Sequence, residues 1–269
     1  MFEITLEESR IVKGIFESIS AVIEECTLVF DKDGISINAI DEGRICLVAL
    51  NLAKNDFDSY SCEGKYELGL NIEDMVKILK RSSADDTITF KYTEGKEGSN
   101  KIKILMKGKK RKKKRTFSLQ LIELGKDELN VQALDQIDFK AKVTLPLAYL
   151  EEAIKDADIY SETVIVSFSE DGNIVFKSEG AIGEIECTLE KDDDGIENFS
   201  AEGVSEGIFS LEYLKNIVKI SIIADKVELA LSPTTPLKAK FNLLAESTFK
   251  YFLAPRIEEE EDNDYDDDY

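Results

Sequence analysis

The sequence predicts an α+β protein built from two similar domains, because the same order of elements occurs twice along the chain. A helical segment, a hairpin that turns at Asp33-Gly34 and a strand ending near Leu52 fill the first fifth of the sequence. The order returns with a helix near 146–156, a turn at Asp171-Gly172 and a strand ending near Leu189. Two copies of one domain explain this recurrence with a single structural unit.

A second pair of segments supports the duplication. LGLNIEDMVKILKR (68–81) matches GIFSLEYLKNIVKI (207–220). The offset is 138 residues from Gly34 to Gly172 and nearly the same for the second pair. Each domain is therefore expected to contain two units, each a helix followed by strands. The predicted boundaries are domain one at 1–123, an interdomain connector at 124–138, domain two at 139–257 and an acidic tail at 258–269.

Hydrophobic periodicity assigns the individual elements. Four segments carry apolar residues at helical spacing and are predicted helices: 9–24, 72–81, 147–156 and 211–219. Asn71 and Ser210 precede two of these helices as expected N-caps. Alternating apolar residues predict strands in further segments: 28–40, 87–94, 101–107, 163–178, 184–190 and 226–232. Between the halves the alternation stops, so the connector is expected to be extended, with Leu129 and Val131 available for packing.

The formal charge of −21 is unevenly distributed. Residues 258–269 hold nine carboxylates, and residues 107–115 hold eight basic side chains. Without the tail the chain still carries about −12, so contact with nucleic acid must come from locally basic faces. The tail has too little apolar area to order itself and is expected to be disordered. Taken alone, the basic run is typical of nuclear targeting or of a nucleic-acid patch.

The residue types that are missing exclude several kinds of chemistry. The chain contains no histidine, which excludes Ser-His and Cys-His nucleophile activation and His-ligated zinc. Its glycines stand singly, and no phosphate-binding glycine motif occurs. Carboxylates are abundant, so a two-carboxylate hydrolase or a magnesium-dependent nuclease stays open as an alternative. Because acidic clusters such as 192–194 lie in turn-like sequence, no enzyme, cofactor or metal site is expected.

Cysteine use and hydropathy indicate the compartment. Cys26, Cys46, Cys62 and Cys187 show no CxxC spacing and are expected to be buried free thiols in a reducing compartment. The start MFEITLEESR is not a signal peptide, and no apolar run approaches the ~18 residues that a membrane-spanning helix needs. We therefore expect a soluble intracellular protein with no membrane partner.

Basic side chains lie on the faces of the predicted helices that are opposite the apolar stripes. On a single helix such a face is normally only solvated. In an acidic chain, basic residues on all four helices favour a functional surface instead. The candidate residues are Arg10, Lys13, Lys77, Lys80, Arg81, Lys155, Lys215 and Lys219.

Several separated segments carry a family likeness, in unbroken order from Met1 to about Glu259. They are the start MFEI, GISINAIDEGRICLVAL (34–50), NIEDMVKILKR (71–81), the connector and FLAPRIEEEE (252–261). Together with the duplication they resemble the proliferating cell nuclear antigen (PCNA) family of DNA polymerase sliding clamps. The KILKR and LAPRIE sequences are closer to archaeal members than to animal ones.

The resemblance implies a DNA-clamp fold. Clamps of this family are trimers in which six similar domains form a closed outer layer of sheet. Twelve helices, four from each chain, line the inner face of the ring, whose hole holds duplex DNA. The basic residues above would then make phosphate contacts without reading the DNA sequence. Relatives often carry basic residues where this chain has Gly14, Ser20 and Glu152, so weaker DNA contact than usual is expected.

The resemblance also implies a groove for partner proteins. DNA polymerase, clamp loader, ligase and nuclease bind such clamps through a short helical motif, whose apolar and aromatic anchors enter under the connector. The matching positions here are Ile40, Ile45, Leu47, Leu129, Val131, Pro236, Phe252, Ala254 and Pro255. From the residues alone, Leu47 fits ordinary core better, whereas Leu129 and Val131 on a charged connector favour the groove.

A third implied site is the interface between subunits. Strand 115–121 of the first domain is expected to pair with an edge strand near 173–180 of the next subunit, which removes both free edges. Family members add ion pairs there, and the matching candidates are Arg81, Arg115, Glu152 and Asp156. For residues 109–113, contact with DNA and simple solvation stay equally open.

The expected function is that of a replicative sliding clamp without enzymatic activity. It would encircle DNA as a trimer and tether polymerase and other replication and repair proteins. An alternative within the same fold is a subunit of a heterotrimeric or checkpoint-type clamp, which does not close a ring by itself. The expected location is the archaeal cytoplasm at the nucleoid, or the nucleus if the source is eukaryotic.

Overall fold

A computed structural model describes residues 1–95, 100–108, 113–125 and 129–257 of the chain. The first three ranges hold the first domain and the start of the connector, and the last holds the rest of the connector and the second domain. The tail at 258–269 and most of the basic loop at 109–113 lie outside the described residues, so the predictions made for them stay predictions.

The first domain, as far as it is described, consists of nine strands and two helices. They are β1 (Phe2–Leu6), α1 (Ser9–Ser20), β2 (Glu25–Phe30), β3 (Gly34–Ile40), β4 (Cys46–Ala53), β5 (Ser59–Cys62), β6 (Tyr66–Asn71), α2 (Ile72–Leu79), β7 (Asp86–Tyr92), β8 (Lys101–Gly108) and β9 (Lys114–Gln120). The turn between β2 and β3 requires glycine, because a Cβ at Gly34 would lie 2.1 Å from the carbonyl oxygen of Leu52. The hairpin predicted over 28–40 is therefore present.

The second domain repeats this order after a short helix in the connector. The elements are α3 (Val131–Asp135), β10 (Ala141–Pro146), α4 (Leu147–Ala157), β11 (Thr163–Phe168), β12 (Asn173–Gly180), β13 (Gly183–Glu190), β14 (Glu197–Ala201), β15 (Ser205–Ser210), α5 (Leu211–Ile217), β16 (Lys226–Leu231), β17 (Leu237–Asn242) and β18 (Thr248–Leu253). A 3-10 helix, Val218–Ile222, continues α5. Strand by strand and helix by helix, β10 to β18 correspond to β1 to β9.

The prediction of an extended connector is wrong at α3. The side-chain oxygen of Asn130 accepts a hydrogen bond from the backbone N–H of Ala133 at 3.0 Å and caps the helix. Val131 and Leu134 stand three residues apart, so both reach the sheet below. The isolated apolar residues of the charged connector therefore belong to one amphipathic helical turn and not to an extended segment.

The four predicted helices are present with small differences at their ends. α1 ends at Ser20, earlier than the predicted residue 24. Asn71 caps α2 as predicted, since its side-chain oxygen accepts a hydrogen bond from the Asp74 N–H at 3.0 Å. Ser210 stands at the N-cap position of α5, but its side chain makes no capping hydrogen bond. The apolar stripes face the sheets, and Ile15 and Ile19 of α1 are fully buried.

In the described part of the chain, three antiparallel sheets carry the helices. Their strand orders are β5-β1-β7-β8-β9, then β14-β10-β16-β17-β18-β4-β3-β2-β6, and β13-β12-β11-β15. The nine-stranded sheet joins the domains, because β18 pairs with β4 in the register that puts Tyr251 opposite Val48 and Phe252 opposite Leu47. We call this pairing the internal joint.

Two strands, β9 and β13, are the counterparts of the strands in the internal joint. β9 corresponds to β18 and β13 corresponds to β4, and each ends its sheet with one side unpaired. We call β9 and β13 the external edges. The prediction that the second edge lies near 173–180 is wrong, because those residues form β12, which is paired with β11 on one side and β13 on the other.

Candidate functional sites

The basic residues singled out from the sequence lie on one helical surface. Neighbouring helices touch one another: α1 contacts α2 and the 3-10 helix after α5, and α4 contacts α5. The four helices therefore form a continuous row. On the side of this row away from the core, seven of the residues are exposed and one, Lys13, is half-buried; the exposed ones are Arg10, Lys77, Lys80, Arg81, Lys155, Lys215 and Lys219.

Carboxylates on the same surface partly neutralise these lysines. The pairs are Lys77 with Asp74 at 3.1 Å, Lys80 with Glu17 at 3.8 Å, Lys155 with Glu151 at 3.4 Å and Lys215 with Asp158 at 2.8 Å. Among the described residues, the other four form no ion pair: Arg10, Lys13, Arg81 and Lys219, whose ammonium donates to Asn216 Oδ1 at 2.7 Å. Exposed pairs of this kind stabilise a protein by only about 0–1 kcal/mol each, so a phosphate group can displace the carboxylates at low cost.

Gly14 has a packing role that sequence comparison with relatives does not suggest. It is buried in α1, where a Cβ would lie 2.6 Å from Ile223 Cγ2 and 2.9 Å from Ile222 Cγ2. Glycine therefore allows α1 to approach the end of the 3-10 helix closely. The position therefore serves the packing between the two domains, and the expectation of weaker DNA contact stays a prediction.

A second apolar cluster lies apart from the main core, on the opposite face of the internal joint. It brings together five of the residues assigned to the partner groove: Ile40, Leu47, Leu129, Val131 and Phe252. Sequence reasoning missed five others, Ala49, Phe139, Ala230, Leu134 and Ile137. Strand alternation could have found Ala49, which stands two residues after Leu47 on the same face of β4. We call this set of ten residues the outer cluster.

The other four assigned groove residues stand outside the outer cluster. Ile45 is 39% exposed, which is unusual for an isoleucine. Pro236, Ala254 and Pro255 are half-buried. The backbone N–H of Ala254 donates to the carbonyl of Ile45 at 2.9 Å, so the segment after β18 runs beside Ile45. These four residues form an apolar rim, one exposed and three half-buried, beside a buried apolar floor, and such a surface suits the apolar anchors of a peptide.

At the external edge β9, Arg115 is held within its own domain. Its Nη2 donates to Asp86 Oδ2 at 2.6 Å and its Nη1 donates to the carbonyl of Arg81. Its Nε is buried and has no hydrogen-bond partner among the described residues. Glu152 and Asp156 lie on α4 beside β13 and close to Cys187. Burial raises the pKa of the Cys187 thiol, and the charges of Asp156 and Glu152 raise it further.

A cleft of about 850 Å³ opens between the end of α1, the β3–β4 turn and α5. Its lining is rich in carboxylates, but Asp41 is already engaged: it accepts hydrogen bonds from the Cys46 N–H and the Tyr213 hydroxyl, both at 2.6 Å. Burial and the bond to Asp41 raise the pKa of Tyr213. Across the described ranges, no group of three or more side chains is gathered as a metal site.

The four cysteines are free thiols, as predicted. Burial raises the pKa of Cys26 to about 12, and burial together with the charge of Asp41 raises that of Cys46. Cys62 and Cys187 are only half-buried, so the predicted burial is wrong for these two. In the part of the chain that the structure describes, no helix has the length and apolarity needed to cross a bilayer.

Two similar domains joined edge to edge, with a row of helices on one side and sheets on the other, define the class of clamp proteins. The family model for the proliferating cell nuclear antigen N-terminal domain matches residues 1–130, and the model for its C-terminal domain matches residues 133–256. The chain therefore belongs to the proliferating cell nuclear antigen family, as the resemblance predicts, and it is a non-catalytic sliding clamp.

Relatives of known name agree with this assignment. The chain is 32% identical over 258 residues to DNA polymerase sliding clamp 1 of Thermococcus kodakarensis, covering 96% of this chain and 99% of that protein. It is 30% identical, with the same coverage, to the DNA polymerase sliding clamp of Pyrococcus horikoshii. The crystal structure of PCNA from Thermococcus kodakaraensis superposes with a TM-score of 0.86 at 23% identity, covering 95% of this chain and 100% of that one. The archaeal character that was predicted is confirmed.

Proposed function

We propose that three copies of this sliding clamp close head to tail into a ring around duplex DNA. The observation that carries the proposal is the internal joint, in which β18 pairs with β4. The external edges β9 and β13 are the counterparts of these two strands, so one copy can pair its β9 with β13 of the next in the same antiparallel way. Each chain has one edge of each kind, which makes the contact heterologous and repeatable until a ring closes.

The correspondence of the two domains also gives a register for the contact between subunits. The pairings within each domain put Phe117 at the position of Tyr251, and Ile185 at the position of Val48. Phe117 of one subunit is therefore expected opposite Ile185 of the next. Tyr251 is fully buried in the internal joint, whereas Phe117 is half-buried in the single chain. Ring closure would bury Phe117 in the same way.

The same register supports the proposed ion pairs. Arg115 corresponds to Phe249 and Cys187 corresponds to Leu50, and Phe249 lies opposite Leu50 in the internal joint. Arg115 of one subunit would therefore stand opposite Cys187 of the next, beside the carboxylates of Glu152 and Asp156. Its unpartnered Nε supplies a donor for such a contact.

In the closed ring the helical surface faces the hole. The eight basic side chains would contact phosphates without reading bases, so the ring could slide along the duplex. The groove formed by the outer cluster and its rim would receive a short peptide with apolar and aromatic anchors. DNA polymerase is the first expected partner, because the relatives are named as its clamps; clamp loader, ligase and nuclease are the others. An archaeal cytoplasm, at the nucleoid, is the corresponding location.

Light scattering on the purified full-length chain tests the ring. Three 30.2 kDa chains give 90.6 kDa, and a mass near this value at micromolar concentration is expected. A mass near 30 kDa at every concentration and salt level would contradict the homotrimer and favour the heterotrimeric alternative, in which a sister subunit is needed. The next measurement is the stimulation of a DNA polymerase on circular DNA. Circular DNA has no end from which a closed ring could slide off.

A further inference from the structure

The connector helix α3 is fixed to the sheet by one carboxylate between two lysines. Asp135 Oδ1 and Oδ2 both lie 2.8 Å from Lys250 Nζ, and Asp135 Oδ1 lies 3.3 Å from Lys238 Nζ. Lys238 is on β17 and Lys250 is on β18, so the three residues tie the connector to the second domain directly beside the outer cluster. We call them the connector latch.

The latch is less exposed than the ion pairs on the helical surface. The side chains of Lys238 and Lys250 are only 14% and 22% exposed, and that of Asp135 is 36% exposed. Partial burial opposes ionisation of Asp135, but the hydrogen bonds and charges of Lys250 and Lys238 outweigh it, so the pKa of this carboxyl is below its ordinary value. Water therefore screens this pair less than it screens a fully exposed one.

Lys238 also connects the latch to the outer cluster. Its ammonium lies 5.5 Å from the centre of the Phe252 ring and 5.9 Å from that of Phe139, within the range of a cation–π contact. Both rings belong to the outer cluster. A shift of Asp135 would therefore change the position of the lysine above two aromatic side chains that form the floor of the groove.

We infer that Asp135, through Lys250 and Lys238, is a positioning residue that holds α3 against the sheet and so fixes the connector wall of the partner groove. The inference rests on the proposed function of that groove. A single helical turn has no stability of its own in water, and the half-buried side chains of Val131 and Leu134 give it only a small apolar contact. With the latch released, α3 would spend part of its time away from the sheet, and the wall that Leu129 and Val131 supply would be incomplete.

Hydrogen exchange on the full-length protein tests the latch without any partner. Asp135→Asn keeps the shape and removes the charge, and we expect amides at 131–137 to exchange about tenfold faster while the rest of the protein is unchanged. Asp135→Glu should restore much of the protection. The matched control is Asp138→Asn, which removes an exposed carboxylate of the same connector that pairs with Lys140 at 3.1 Å. Equal exchange in the Asp135→Asn variant and the wild type would overturn the inference.

Peptide binding then tests the consequence for the groove. The probe is a fluorescein-labelled helical peptide with one aliphatic and two adjacent aromatic anchors. We expect Asp135→Asn to raise its Kd by about three- to tenfold and Asp138→Asn to leave it unchanged. Adding Lys250→Met to the Asp135→Asn variant should not raise the Kd further, since the two residues act as one unit. Additive losses would contradict the latch. A wild-type protein that binds no peptide would refute the groove, whereas the exchange data would still decide about the latch.

Discussion

The internal joint and the external edges are built from corresponding strands but from different residues. In the internal joint, the fully buried Tyr251 stands where the external edge has the half-buried Phe117. Gly14 of α1 packs against Ile222 and Ile223 across the internal joint, whereas its counterpart on α4 is the exposed Glu152. Apolar packing thus dominates the contact within one chain, and charges are more prominent at the proposed contact between chains.

This difference fits what each contact has to do in a clamp. The internal joint holds two domains of one chain together and does not open in use. The proposed contact between subunits has to open once so that DNA can enter, and then close again. Charged residues suit such a contact, because exposed ion pairs add specificity and register while contributing only about 0–1 kcal/mol each. Strand pairing and the burial of Phe117 would provide most of the closure.

The largest expected effect is the loss of the ring on replacing Phe117. Phe117→Asp puts a charge at a site that ring closure would bury beside Ile185, so we expect light scattering to give the 30.2 kDa monomer. Ser118→Lys is the control, since Ser118 is on the opposite, exposed face of the same strand and the same register puts it opposite Glu184 of the next subunit. It should leave the trimer intact. A Phe117→Asp protein that keeps the trimer mass would disprove the register taken from the internal joint.

The second prediction concerns the proposed groove, whose connector wall packs on the outer cluster at the internal joint. Leu129→Ala combined with Val131→Ala removes two apolar side chains from the connector wall. We expect the Kd of the labelled peptide to rise by about 100-fold and the oligomer mass to stay the same. Val204→Ala, at an apolar side chain that is 62% exposed and outside the outer cluster, is the control. Unaltered peptide affinity of the double variant would refute the assignment of these residues.

Much of the fold could be predicted from the sequence because repetition and periodicity are local properties. At the Asp33-Gly34 turn the N–H groups of both residues donate to Asp31 Oδ1, and the N-cap at Asn71 and the buried stripes of the helices likewise depend on nearby residues of the chain. The position of the second external edge could not be predicted, since β12 and β13 have similar alternation and only their pairing shows which one is outside.

The same limit applies to the groove and the connector. The family likeness identified Leu129 and Val131. It did not identify the connector latch, because Asp135 and Lys250 are 115 residues apart in the sequence. Their pairing depends on how β18 is placed beneath the connector. Contacts of this kind arise from the tertiary fold, and no pattern in a charged connector distinguishes a carboxylate that is paired with the sheet from one that is only solvated.

The smallest expected effect is on the ion pairs between subunits. Glu152→Arg would place a positive charge near Arg81 of the next subunit, and we expect the ring to dissociate at a roughly fivefold higher concentration, the size of one exposed ion pair. Combining Glu152→Arg with Arg81→Glu exchanges the two charges. At low salt the double variant should dissociate at the same protein concentration as the wild type. High salt should reduce the difference between the single variant and the wild type, because exposed charges are screened. If the double variant is no better than the single one, Arg81 and Glu152 are not partners, and the external contact depends on strand pairing and apolar burial in the same way as the internal joint.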